Sequence, residues 1–324
     1  MEKKDLRIVY MGTPDFAVES LRALVEGGYQ VVAVVTMPDK PMGRHGSVLQ
    51  SSPVKKYAES VGLPVLQPEK LKEEAFLTEL RSYQADLQIV VAFRMLPEVV
   101  WNLPRLGTFN LHASLLPQYR GAAPINWSVI NGDTETGVTT FFLSHEIDTG
   151  KIIRQKRLPI ADTDDVETVH DALMVMGAGL VTETVDLILA DKAEATPQEA
   201  FYTDASELRP APKIFKETCR IQWNQPLKQV YDFIRGLSPY PAAWTELIAA
   251  NGTKQVLKIY QSEKIIESHS LPVGSIRSDK KSFLDVAVPD GFLRLHSLQL
   301  AGKKRMNITD FLNGNKQIAE SRVQ

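Results

Sequence analysis

The sequence predicts an α/β fold, with a helix-covered, mostly parallel sheet in front and a small β-rich domain behind. Two observations carry that expectation. The apolar runs LRIVYMG (6–12), QVVAVVTM (30–37) and DLQIVVAF (86–93) lack alternation, as strands buried on both faces do. Helical patterns lie between them, so the order reads βαβαβ. Beyond about residue 211 the texture changes to short β-like runs broken by Gly-containing turns, which favours a small barrel or sandwich.

The elements follow in order. After the first strand, Thr13 is placed to cap a helix with Pro14 in its first turn and Phe16, Val18, Leu21, Leu24 and Val25 on one stripe, stopped by Gly27-Gly28. The turn reads GTPDFA and not G-x-G-x-x-G, so a nicotinamide dinucleotide is not expected. PVKKYAESVG (53–62) and the stretch from about Glu73 to Tyr83 are helix-like. GTFNLHAS (107–114), TGVTTFFLS (136–144) and KIIRQKRLPI (151–160) are further strands, and a long helix is expected from about Asp164 to Ala190. Residues 191–211 are polar, aperiodic and contain two prolines, which marks a linker. The expected organisation is therefore 1–190, a linker over 191–211, and a back domain over 212–324. That back domain holds one helix at 226–237 and five short β-like runs.

Bulk properties bound the function. The 324 residues suffice for two domains, and 44% hydrophobic with 23% charged residues is ordinary for a soluble globular chain. No apolar run approaches the roughly eighteen residues of a membrane helix, and the N-terminus lacks a signal-peptide pattern, so no membrane role is expected. A single cysteine, Cys219, cannot form an intramolecular disulfide, which fits a reducing cytoplasm. The net charge of −2 is uneven. Residues 210–324 carry 17 Lys+Arg against 10 Asp+Glu (+7), leaving 20 against 29 (−9) in front. A basic back part suits a polyanionic partner, although ordinary surface charge gives the same count.

The stretch FNLHASLLPQYRGAAPINW (109–127) carries the most chemistry. Asn110 and His112 lie two apart near a strand end, so their side chains share one face, where ligand sites of open parallel sheets occur. An amide and an imidazole together suit an oxyanion developing at an acyl carbon. The alternative is a buried histidine bonded to a backbone carbonyl, with Asn110 capping a turn. The prolines and glycine beyond build a non-helical wall for a flat ligand. Asp148, in SHEIDTG, follows a strand and could orient His112 and handle a proton, or simply stabilise its own turn. No His, Cys, Asp and Glu spacing resembles a metal site, so no metal is expected.

These residues carry a resemblance. MGTPDFAV, PDKPMGR with SSPVKKYAE, the 109–127 stretch, GDTETGVT, the DTG at Asp148 and LQLAGKKRMNITDFLNG together resemble the 10-formyltetrahydrofolate-dependent formyltransferases. HxSLLPxxRGAAP marks the superfamily. GTPDF, PDKPMGR and the AGKK–M–DFLNG end are similar to the branch that formylates methionyl-tRNA. The resemblance implies a Rossmann-like domain followed by a small OB-like β-barrel that helps hold tRNA. It implies a formyl-transfer enzyme of translation initiation and one-carbon metabolism, cytoplasmic, monomeric and free of metal. Its co-substrate would be 10-formyltetrahydrofolate and its partner methionyl initiator tRNA. By the same resemblance Asn110, His112 and Asp148 form the catalytic trio. Ser114, Leu115, Leu116 and Pro117 line the folate site, and Phe93, Arg94, Met95 and Leu96 cup its pterin. Arg44 matches the basic residue of an inserted loop that reaches the tRNA acceptor end. By charge, Lys303, Lys304 and Arg305 in the basic back domain, with Lys40, Lys55 and Lys56 in front, would meet the polyanion, or each lysine is a solvated surface charge. Gln118 and Tyr119 stand where Arg and Trp are common, and HEIDTG departs from the usual Gly-Leu-Asp. A small-acceptor formyltransferase, a formyl-discarding hydrolase and an inactive RNA-binding scaffold are the alternatives.

Overall fold

A computed structural model describes residues 2–42 and 48–324; Arg44 lies outside the described residues. The chain forms two compact units. The first comprises residues 1–121, 136–158 and 170–210, and the second 122–135, 159–169 and 211–324.

In the first unit, seven strands form one sheet. They are β1 (Ile8–Gly12), β2 (Val31–Val35), β5 (Val65–Leu66), β6 (Leu87–Val91), β7 (Thr108–His112), β8 (Glu135–Phe142) and β9 (Ile152–Pro159). Their order is β5-β2-β1-β6-β7-β8-β9. The first five are mutually parallel, with Tyr10 beside Ile89 and Val90 beside Asn110. β8 runs antiparallel to β7, with Asn110 opposite Phe141 and His112 opposite Thr139. β3 (Lys40–Met42) and β4 (Val48–Gln50) form a separate antiparallel pair.

The two sheet faces are distinct. Val9, Met11, Ala33, Val35 and Val90 form a core with Phe76, Leu77 and Leu80 of α3 (Glu74–Ser82) and with Val100 of α4 (Glu98–Trp101). Asn110 shares the Val90 face by register. Leu111 points the opposite way, where Gly177 of α6 (Val166–Leu189) approaches it. A Cβ on Gly177 would stand 2.7 Å from Leu111 Cδ2, so a side chain there would displace the tip of Leu111 where α6 rests on β7.

α6 has 24 residues and a mean hydropathy of 1.7 over its most apolar window, long and apolar enough to cross a membrane by length and composition. Its apolar side chains Leu173, Leu180, Val181 and Val185 are buried, and Thr184 Oγ1 meets Thr140 Oγ1 of β8 at 2.8 Å. That buried stripe packs one side of the helix on the sheet, while Val175 is exposed.

At the first strand–helix turn, the expected cap is corrected by one residue. α1 (Asp15–Glu26) begins after Pro14, and Thr13 makes no cap. Its hydroxyl instead accepts from Met37 N–H at 3.4 Å and meets Thr36 Oγ1 at 3.5 Å, tying the ends of β1 and β2 together. α2 (Pro53–Ser60) is capped by Ser52, which accepts from Lys55 N–H.

The second unit is a nearly closed antiparallel barrel. Its strands are β10 (Ala243–Ile248), β11 (Lys254–Ile265), β12 (Ile276–Ser278), β13 (Leu284–Val288), β14 (Gly291–Leu300) and β16 (Arg322–Val323), in the order β12-β13-β14-β11-β10-β16. The short β15 (Met306–Asn307) pairs with β14. A bridge between Ser275 and Arg322 brings the two edges together, which removes the open edge a flat sheet would leave. α7 (Leu227–Arg235) places Val230 and Ile234 in a core with Leu257, Ile259, Val286, Leu295 and Phe311. Cys219 is buried and donates its thiol to Phe215 O at 3.2 Å. Burial pushes its pKa up, as suits a structural thiol.

Pro124 does not belong to a non-helical wall. It opens α5 (Pro124–Ile130), where its missing N–H costs nothing. Asn126 Nδ2 donates to Gly236 O at 2.9 Å, and Trp127 Nε1 to Pro212 O at 2.8 Å.

Candidate formyl-transfer site

Parallel strands bring their carboxyl ends to one side of the sheet, so the loops after β1, β6 and β7 share a rim. Gly12 sits there without a side chain; a Cβ would come within 2.8 Å of Val91 O. After β6, Ala92 turns left-handed (φ 47°), starting the 92–97 loop. Phe93 is half-buried, Met95 is 72% exposed and Leu96 is buried. Arg94 does not reach outward. Its guanidinium donates to Pro68 O and, at 2.8 Å, to Glu69 O. Its Nε is buried without a partner among the described residues, and burial lowers its pKa.

β7 delivers Asn110 and His112 to the same face. The Asn110 amide is half-buried and makes no hydrogen bond among the described residues. His112 is 7% exposed. Its Nε2 lies 2.8 Å from Tyr119 O, and a carbonyl only accepts, so Nε2 carries the hydrogen. Nδ1 is thereby turned toward Asp148, whose Oδ2 lies 3.9 Å away. That distance is too long for a hydrogen bond and within ion-pair range whenever the imidazole carries a second proton.

Asp148 reaches this position by a detour. β8 runs back toward the start of β7, so at Leu143 the chain is level with Thr108. The connection to β9 then returns Asp148 to His112. It does so through a left-handed residue, Asp148 itself (φ 56°), and through Gly150, where a Cβ would stand 1.6 Å from Phe142 O. Asp148 Oδ2 accepts from Gly121 N–H at 2.9 Å. Backbone strain of this kind persists where surrounding contacts over-determine it.

The segment between β7 and α5 is held from below. Thr139 Oγ1 donates to Ser114 O at 2.7 Å and accepts from Leu116 N–H at 3.2 Å. Gln155 Nε2 donates to Leu116 O at 2.7 Å. Ser114 Oγ donates to Gln118 O at 2.6 Å, closing the Ser114–Leu115–Leu116–Pro117 turn. Tyr119 is left-handed (φ 60°), which aims its carbonyl at His112.

Sequence reading missed a second tier of residues in the stretch after α6. Thr196 exchanges both backbone hydrogen bonds with Ile152 at 2.8 Å. Gln198 is fully buried and touches Asp148, Gly150 and Arg120. Gln118 exchanges hydrogen bonds with Glu207 O and Arg209 N–H, and Tyr119 N–H donates to Arg209 O at 2.7 Å. Residues 196–209 therefore strap the loops of the site in place. The available signal was weak: a lone glutamine in a polar stretch.

The basic candidates are scattered. Lys40 is exposed at the start of β3. Lys55 is 16% exposed and pairs with Asp39 at 2.7 Å, so it is occupied inside the protein. In the barrel, Arg277 and Arg294 spend their charge on the buried Asp285. Lys303 and Lys304 are exposed and form no ion pair among the described residues.

Comparison with known proteins gives the family. Residues 6–185 match the formyl transferase family and residues 213–316 its C-terminal domain. The methionyl-tRNA formyltransferase of Parabacteroides distasonis is 81% identical over 323 residues, covering 100% of both chains. That of Phocaeicola vulgatus is 72% identical over 324 residues, again covering 100% of both. Among solved structures, the sugar 3N-formyl transferase WlaRD, determined in the presence of dTDP and 5-N-formyl-THF, aligns with a TM-score of 0.63 at 18% identity. It covers 92% of this chain and 99% of its own, and so shares the fold.

Proposed function

The chain belongs to the methionyl-tRNA formyltransferase family, and from that premise we propose that it moves the formyl group of 10-formyltetrahydrofolate to the amino group of methionyl initiator tRNA. The product, N-formylmethionyl-tRNA, serves translation initiation, which puts the reaction in the cytoplasm, with a single chain as the working unit. The observation that carries this reading is the His112 Nδ1 edge, 3.9 Å from Asp148 and on the same strand face as the unbonded Asn110 amide.

The folate supplies an activated formyl group on a nitrogen leaving group. The residues fit such a co-substrate: the 92–97 loop holds a buried donor, Arg94 Nε, with no partner among the described residues, beside an exposed Met95. Phe93, Arg94, Met95 and Leu96 would cup the pterin, and Ser114, Leu115, Leu116 and Pro117 would line the rest.

Asn110 donates an amide N–H to the formyl oxygen as the methionyl amine adds. His112, protonated, donates Nδ1–H to the same oxygen, while its Nε2–H stays on Tyr119 O. Asp148 balances the imidazolium charge from 3.9 Å and takes the proton of the attacking amine through a water. Collapse of the tetrahedral adduct then breaks the bond from the formyl carbon to N10, and that proton passes to N10 as tetrahydrofolate leaves. Preformed donors of this type stabilise charge that grows only in the transition state. Lys40, Arg44, Lys303 and Lys304 supply cation to the tRNA backbone.

The deciding assay is tetrahydrofolate release from 10-formyltetrahydrofolate with and without methionyl initiator tRNA. Release that requires the charged tRNA, with formylmethionine as product, is expected. Equal release without tRNA would mark a hydrolase.

A further inference from the structure

We propose that Gln198 is a positioning residue for formyl transfer: its buried amide fixes the backbone at Asp148 and Gly150 and so sets the Asp148–His112 separation. The proposal rests on the reading of Asp148 as catalytic.

Gln198 is 0% exposed, fifty residues from the aspartate in sequence. Its Nε2 donates to Asp148 O at 2.8 Å and to Gly150 O at 2.9 Å. Its Oε1 accepts from Arg120 Nε at 3.0 Å and Nη2 at 2.6 Å. The amide orientation is dictated by its neighbours. Guanidinium groups only donate and carbonyls only accept, so the flipped amide would set donor against donor and acceptor against acceptor. Every hydrogen-bonding site on the side chain is used by a group of the site.

The two carbonyls it holds flank the strained turn. Asp148 is left-handed, which non-glycine residues adopt at a cost, and Gly150 is packed against Phe142 O. Arg120, on the other side of the amide, lies between Tyr119, which anchors His112, and Gly121, which anchors Asp148 Oδ2. One side chain thus ties together the two loops that fix both ends of the His–Asp pair. The bonds between Thr196 and Ile152 hold Gln198 itself in register.

Two variants separate positioning from mere scaffolding. Gln198→Glu keeps the shape and strengthens the Arg120 contact, but turns an oxygen toward two carbonyls. Gln198→Met keeps the length without charge and covers the case in which the glutamate variant fails to fold. For folded protein, kcat for methionyl-tRNA formylation is expected to fall about 10–100-fold, with both KM values changed less than about twofold. In an Asp148→Ala background the same substitution should cost less than about threefold more, because it acts through Asp148. A kcat within about twofold of wild type, or a loss that multiplies in full with Asp148→Ala, overturns the proposal. An Asp148→Ala enzyme at the wild-type rate instead overturns the catalytic reading beneath it.

Discussion

Tyr119 O receives the Nε2–H of His112 at 2.8 Å, and this one contact decides which edge of the imidazole is free to work. The nitrogen left over, Nδ1, is the one that faces Asp148. A left-handed residue aims that carbonyl, so the tautomer of the histidine is set by the backbone of a neighbouring turn.

Replacing either donor should reveal its share. Asn110→Ala and His112→Ala are each expected to lower turnover about 100–1000-fold, as loss of one oxyanion donor does. Single-turnover formylation of methionyl-tRNA measures this. A rate near wild type in either variant would remove that residue from the mechanism.

The close approach of α6 to β7 gives a pair of alanine substitutions with opposite signs. At Gly179 a Cβ meets nothing within 4 Å, so Gly179→Ala should stabilise the chain by about 0.5–1 kcal/mol through helix propensity. At Gly177 the Cβ would press on Leu111 at 2.7 Å, so Gly177→Ala should gain nothing or lose about 1–3 kcal/mol. Denaturant titration compares them; equal effects would contradict the close approach.

Asp39 anchors the start of the β3–β4 pair and is held low, chiefly by its hydrogen bond to Lys55 and then by Gln67. A depressed carboxylate contributes stability above its unfolded pKa, about 3.9, and loses it as pH falls through the folded value. Carboxyl carbon NMR should place its midpoint below the ordinary aspartate range, and Lys55→Met should move it up. An unchanged midpoint in that variant would show the ion pair to be idle.

Lys303→Ala and Lys304→Ala should raise the KM for tRNA and leave that for folate alone. The slope of log affinity against log salt should flatten by about 0.7–0.9 for each phosphate that the removed lysine had neutralised. Variants whose salt slope matches wild type would show these lysines to be solvated surface charges.

Much of the site's frame could be read from residue order. Unalternated Val/Ile runs revealed the parallel strands, and the spacing of Asn110 and His112 put them on one face of β7. What escaped notice shares a physical cause. Gln198 acts on backbone carbonyls, which every residue has, so its partners leave no trace in side-chain pattern. Asp148 is already read from its strand-end loop as able to orient His112, whereas the fold-back that carries it there leaves no periodic signal. α5 hid behind two alanines and a proline that suggested irregular chain, although proline in a first helical turn is ordinary.

The path of the chain has a consequence for anyone who would take the protein apart. It alternates between its units in six segments, and residues 170–210 return to the first unit before 211–324 complete the second. No single peptide cleavage can therefore yield two intact halves. A cut near residue 190 would strip Gln198 and Arg209 from the loops they hold and leave the front piece with Asn110, His112 and Asp148 but without those contacts. Modular grafts of this enzyme must carry the chain through Pro210, or they will inherit the chemistry without the geometry.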